Sequence, residues 1–197
     1  MTTIWRCSVP LLLAALLAAC GPEAAKFRST DVTGADFGKA LALTGHDGRP
    51  RSLADFRGKL VVLFFGYTHC PDICPTTLAD TAAALKTLGP DAARVQVLFV
   101  TVDPERDTPE LLAKYVPAFD PGFLGLYGDA DATQRAAKEF KIFYEKRPGS
   151  APGAYTMDHS AQTYVLDAQG RLRLLVRNDR IAQDLAADLR ALLGEKP

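Results

Sequence analysis

Cys70 and Cys74 stand four residues apart in Gly66-Tyr67-Thr68-His69-Cys70-Pro71-Asp72-Ile73-Cys74-Pro75, and this stretch holds the chemical interest of the chain. On one helical turn, positions i and i+4 share a face. Their Cα atoms would lie about 6 Å apart, within reach of a disulfide. The same spacing lets two thiolates grip one soft cation, so a structural disulfide, a redox dithiol and a metal site all remain open. A third group bears on the choice. His159 lies far along the chain, at the end of a polar segment that enters an apolar run. Two thiolates and one imidazole suit Cu(I), which accepts three ligands, whereas structural zinc takes four. His69 precedes a thiol directly and suits the turn or a ligand's hydrogen bonding; His46 falls in a turn and is expected to be exposed. Asp158 could orient His159 through a hydrogen bond.

The elements around these residues follow from hydrophobic pattern. Leu60 to Phe65 is an apolar run rich in Val and Phe, the pattern of a buried strand, and Gly66 breaks it. Thr76 and Thr77 can cap a helix carrying Leu78, Ala82, Leu85 and Leu88. The thiols therefore sit where a strand hands over to a helix N-terminus, whose partial positive charge favours the thiolate. Upstream, Ala40 to Leu43 and Arg51 to Leu53 flank the turn Gly45-His46-Asp47-Gly48 and suggest a hairpin. Downstream, Arg94 to Val102 reads as a second buried strand. Thr108-Pro109 opens a helix expected to run to Phe119. Phe123 to Tyr127 is extended, and Ala132 to Phe143 is a helix with Ala136, Phe140 and Phe143 on its apolar side. Residues 144–158, rich in Pro, Gly and Ser, are expected as a loop. Gln162 to Leu166 and Leu172 to Val176 form a hairpin, and Ile181 to Leu193 closes the chain as an amphipathic helix. The pattern is α/β, a central mixed sheet flanked by helices with an N-terminal hairpin.

A length of 197 residues suits one domain. Positive and negative side chains balance at 23 each, which gives no support for nucleic-acid binding. Arg6 precedes a short apolar run, Val9 to Ala19, too short to span a membrane and laid out as a secretory signal. The ending Leu17-Ala18-Ala19-Cys20 resembles the lipobox of bacterial lipoproteins. On this reading residues 1–19 are a signal peptide, Cys20 is lipidated, and residues 20–35 are a tether to a domain spanning 36–197. Cys7 would be discarded with the signal, leaving Cys70 and Cys74 as the thiols of the folded domain.

Gly66 through Leu78 resembles the signature of the Sco/SenC proteins. Val102-Asp103-Pro104-Glu105-Arg106-Asp107-Thr108-Pro109 is similar to their second block, and Asp158-His159-Ser160 before Tyr164-Val165-Leu166 to their third. The resemblance covers roughly residues 36–195, with the blocks in order. It implies a thioredoxin-like fold and a copper site made of Cys70, Cys74 and His159, for Cu(I) with Cu(II) left open. It also implies delivery of copper to the binuclear copper centre of cytochrome c oxidase, or reduction of that centre's cysteines. The expected partners are the copper-centre subunit of the oxidase, a copper donor protein, and a membrane reached through the lipid anchor. Asp103 and Asp107 match an acidic pair of the family, with a supporting or docking role. The expected location is the periplasmic side of a bacterial membrane, the inner one for an oxidase-assembly role.

Three function classes can use these residues. A copper-binding assembly protein uses all three candidate ligands. A thiol–disulfide oxidoreductase would use Cys70 as the attacking and Cys74 as the resolving thiol. Against ordinary thioredoxin chemistry stand the C-x3-C spacing and the lack of a proline between Asp158 and Tyr164. A thioredoxin-fold peroxidase is disfavoured, because Tyr67-Thr68-His69 precede Cys70 where the peroxiredoxin Pro-x3-Thr-x2-Cys would need other residues.

Overall fold

The computed structural model describes residues 26–150 and 152–194. Residues 1–19, expected as a signal peptide, and Cys20, expected to be lipidated, lie outside the described residues. Strand β4 (Leu60–Gly66) is buried along its whole length, as its unbroken apolar run requires. It pairs in parallel with β5 (Val95–Thr101), which pairs in parallel with β6 (Leu124–Tyr127). On its other side β4 pairs antiparallel with β9 (Thr163–Leu166), followed by β10 (Leu172–Val176) and the short β1 (Thr30–Asp31). The expected N-terminal hairpin, β2 (Ala42–Gly45) and β3 (Pro50–Ser52), joins the far edge through β6. The order is β1-β10-β9-β4-β5-β6-β2-β3, a mixed sheet with the strand that leads into the thiols near its centre.

Successive side chains of a strand point to opposite faces. Phe64 meets Phe99 at a centroid distance of 6.1 Å, and Phe99 meets Tyr115 of α2 (Pro109–Tyr115). Phe65, on the opposite face, packs on Phe140 at the end of α3 (Ala130–Glu139) and on Tyr164 of β9. Helices therefore cover both faces. Helix α1 (Ile73–Leu88) follows β4 and packs on the closing helix α4 (Ala186–Gly194).

Several local expectations are corrected. Helix α1 starts at Ile73, with Asp72 in the cap position, not at Thr76–Thr77. Cys74 thus lies within the helix and Cys70 in the loop before it. Helix α2 stops at Tyr115 and a 3-10 turn, Val116–Ala118, carries the chain on. Pro117 lacks the N–H that another α-turn would need. Helix α3 starts earlier than expected because the Asp129 carboxylate accepts from the Ala132 N–H. It ends before Lys141, whose φ is 55°. The closing helix is entered through a π-helical turn, Ile181–Leu185. Residues 26–35, expected as the end of a tether, include β1, and the Asp188 carboxylate accepts from the backbone of Arg28 and Ser29.

The largest correction concerns residues 144–158. They form a two-stranded antiparallel ribbon, β7 (Tyr144–Pro148) and β8 (Tyr155–His159), in place of a loop. Gly149, Pro152 and Gly153 lie in the connection at its tip, and Pro148 closes β7 opposite Tyr155. The ribbon forms a sheet of its own, outside the eight-stranded ladder.

Candidate metal and thiol site

The site forms where β4 gives way to α1. Gly66 is required there: a Cβ at this position would lie 2.9 Å from the Cys74 Sγ and 2.8 Å from the Phe64 ring. The chain then turns, with the Cys70 N–H donating to the Tyr67 carbonyl at 3.3 Å. The first turn of α1 places the Cys74 N–H against the Cys70 Sγ at 3.4 Å. Both cysteines are free thiols; Cys74 is fully buried and Cys70 half-buried.

His159 arrives from the end of β8, with its Nε2 3.6 Å from the Cys74 Sγ. Its Nδ1 lies 2.9 Å from the Ser160 carbonyl, an acceptor, so the proton belongs on Nδ1 and the Nε2 lone pair faces the thiols. Tyr67 and Phe64 meet the imidazole edge-on, at centroid distances of 5.8 and 6.2 Å. The ligating atoms of Cys70, Cys74 and His159 all lie within 4.8 Å of one another. Among the described residues this is the one cluster of such donors with ligand geometry.

The two thiols are electrostatically unlike. The Cys70 pKa falls to about 3, chiefly through the hydrogen bond from the Cys74 thiol, helped by the backbone N–H of Cys74 and Asp72, against the cost of burial. Cys74 is pushed strongly upward by donating that bond and by burial. The metal-free pair is therefore a thiolate at Cys70 stabilised by a thiol at Cys74. A cation entering the cluster would have to displace the Cys74 proton.

The remaining expected residues separate into different places. Asp107, 1% exposed, accepts from the backbone N–H and hydroxyl of Thr68 and from the Thr101 hydroxyl. It thereby fixes the start of the Cys70 turn, and burial raises its pKa. Asp103, 2% exposed, accepts from Arg106 and from the Tyr155 hydroxyl. Burial keeps both carboxylates from serving as a docking surface. His69 is exposed beside the Thr68 hydroxyl. Asp158 does not orient His159: it is exposed and pairs with Arg147 across the ribbon, because alternation points it away from His159. Nor is His46 simply exposed; half-buried, it accepts from the Gly125 N–H and holds β2 against β6. Sequence reasoning missed Gly66 as the space for Cys74, and Tyr67, Arg106 and Tyr155 as neighbours. The spacing of Asp103 and Arg106 at i, i+3 was the one available signal.

A shallow pocket of about 410 Å³ opens onto Cys70 and His159 between Tyr67, Pro71, Ile73, Met157 and Ala161. Ile73 (47% exposed) and Phe143 (57%) are the exposed large apolar residues among those described. Both flank the site, one beside Cys74 and the other beside Tyr144, the ribbon partner of His159. A larger depression of about 870 Å³, lined by Leu41, Leu53, Arg57 and Arg171, carries neither thiol nor imidazole. It lies at the opposite end of the sheet from the cysteines.

The SCO1/SenC family model matches residues 29–194. The chain belongs to the SCO1/SenC family. It is 38% identical to the mitochondrial SCO2 homolog of Mus musculus over 152 residues, 76% of this chain and 60% of the mouse protein. This chain thus spans about three fifths of the length of the mammalian relatives it matches. Among solved structures it resembles apo Sco1 from Thermus thermophilus, with 44% identity and TM-score 0.77 over 86% of this chain and 98% of that one. It also resembles Bradyrhizobium japonicum ScoI with copper bound, with 38% identity and TM-score 0.73 over 79% and 99%. The thioredoxin-like fold of Sco proteins is the fold found here.

Proposed function

We propose that this Sco protein carries a copper ion as cargo on Cys70, Cys74 and His159, and serves assembly of the binuclear copper centre of cytochrome c oxidase. The observation that carries the reading is convergence. Three donors from a loop, a helix and a separate ribbon lie within 4.8 Å, with the Nε2 lone pair turned toward the sulfurs. Two thiolates and an imidazole are a soft, three-member donor set, which favours Cu(I) over a four-coordinate zinc. The exposed Ile73 and Phe143 beside the site suit a protein that meets a donor and a recipient in turn. Export, acylation at Cys20 and a place on the periplasmic face of the inner membrane complete the proposal. No helix among the described residues is long and apolar enough to cross a membrane.

The test is an anaerobic Cu(I) titration of residues 26–197 against a competing chelator. One tight equivalent is expected, weakened sharply by His159→Ala and abolished by Cys70→Ser/Cys74→Ser. Equal affinity in wild type and the double-serine variant would remove the thiols from copper binding and end the proposal.

The thiol asymmetry favours a second reading at the same residues. The Cys70 thiolate would attack a partner's disulfide, forming a mixed disulfide and releasing one partner thiolate. Cys74, once deprotonated, would attack the Cys70 sulfur and release the second. The partner gains two electrons as this pair becomes a disulfide. His159→Ala should leave that exchange nearly intact while Cys70→Ser abolishes it.

A further inference from the structure

His159 reaches the thiols from a ribbon that shares no backbone ladder with the main sheet. Side chains must therefore hold β8 in place, and near the ribbon tip they converge on Arg106. The Arg106 Nε donates to the Asp103 carboxylate and its Nη1 donates to the Tyr155 carbonyl at 2.9 Å. Its guanidinium lies 3.5 Å from the centroid of the Tyr155 ring and 5.8 Å from that of Tyr67. The Tyr155 hydroxyl closes the circuit by donating to the other oxygen of Asp103 at 2.8 Å. Lys146 on β7 adds an exposed pair with Glu105 and also covers the Tyr155 ring. Further anchors lie along β8, where the Met157 N–H donates to the Tyr67 hydroxyl and the Met157 side chain is buried in the core, and at the opposite end of the ribbon, where Ser160 and Phe143 exchange hydrogen bonds.

We infer that Arg106 is a positioning residue for His159: with Asp103 and Tyr155 it latches the ribbon onto the thiol-bearing body and so sets the imidazole beside Cys74. The inference rests on the copper reading for its purpose and on this geometry for its substance. Asp103 and Arg106 belong to the segment after β5, whereas Tyr155 opens the strand that ends in His159. Rigid pairing of β8 with β7 transmits the constraint along four residues to the imidazole. Tyr67 lies between the two groups, with one ring near both Arg106 and His159. The latch is reversible in principle, since it consists of hydrogen bonds and ring stacking at a partly exposed arginine. Opening it would let the imidazole leave while both thiols keep their places on the body.

The test is a double-mutant cycle of Arg106→Ala with His159→Ala, read by Cu(I) competition titration of residues 26–197. Arg106→Ala is expected to weaken Cu(I) binding by about 10- to 100-fold, the usual effect of losing a ligand's supporting partner. On the His159→Ala background the same change is expected to have no effect. An equal loss on both backgrounds, or no loss in wild type, would overturn the inference. Amide hydrogen exchange of the metal-free protein gives an independent readout. Arg106→Ala should accelerate exchange across Tyr155–His159 and leave β4 and β5 unchanged; unchanged exchange in the ribbon would also overturn it. Should the parent protein bind no copper tightly, the copper reading fails and exchange alone decides the latch. Should Arg106→Ala unfold, Tyr155→Phe removes only the hydroxyl that closes the circuit and takes its place in both measurements.

Discussion

Cys70 and Cys74 have the same chemistry as free amino acids, and the fold makes them opposites. One sulfur is half-open and receives hydrogen bonds; the other is enclosed and donates. Cys70 should therefore remain a thiolate well below neutral pH. Its alkylation rate by iodoacetamide, followed by mass spectrometry on metal-free protein, is expected to be nearly flat between pH 8 and pH 5. A thiol with the ordinary pKa of about 8.5 would slow about 1,000-fold over that range, and such a fall at Cys70 would contradict the hydrogen-bonding account. Asp107 illustrates the opposite balance, a carboxylate raised by burial and retained by three donors. Asp107→Ala strands the Thr68 N–H and two hydroxyls, and should lower unfolding stability in urea by about 2–4 kcal/mol.

Between β4 and α1, a strand must pass directly beneath the first turn of a helix that carries a buried sulfur. Gly66 leaves the room. Adding one methyl group here meets the Cys74 sulfur and the rings of Phe64 and Phe99, each at under 3 Å. Gly66→Ala should consequently cost about 1–3 kcal/mol through overpacking and displace Cys74 from its neighbours. The expected signature is a joint loss of thermal stability and Cu(I) affinity; retention of both would show that the turn can yield. The β7–β8 ribbon is the complementary case, an element whose outward side chains touch water rather than the core. Its composition suggested a loop because most of its residues are polar and exposed, while backbone pairing with an adjacent segment leaves little hydrophobic trace.

The whole molecule sets the thiols at one end of a buried parallel strand and closes the sheet's edge with the segment before residue 36. Arg28 and Ser29 bond to Asp188, a residue 1% exposed on α4, and β1 extends the sheet through β10. A chain beginning at residue 36 should unfold roughly 4–10 °C below one beginning at residue 26. The shorter chain loses about 2–3 kcal/mol of edge pairing and carboxylate bonding. Equal melting temperatures would return this segment to the role of a simple tether.

Much of this arrangement could be read in the sequence because it is local or strongly patterned. The run Leu60 to Phe65 is apolar at every position, which only a strand covered on both faces requires. The breaker at Gly66, the paired cysteines and the Thr108-Pro109 helix start each act within a few residues. The family resemblance further identified His159 as a partner for Cys70 and Cys74. Tertiary structure decided what depends on contacts between distant segments. It turned Asp158 outward, because strand alternation sets it opposite His159, and it joined Asp103 to Tyr155 and Asp107 to Thr68. It made unlike acids of two like thiols, since a pKa depends on burial and hydrogen-bond partners. It also built an arm from a polar stretch, and a ribbon outside the core is specified by pairing partners rather than by hydrophobic period.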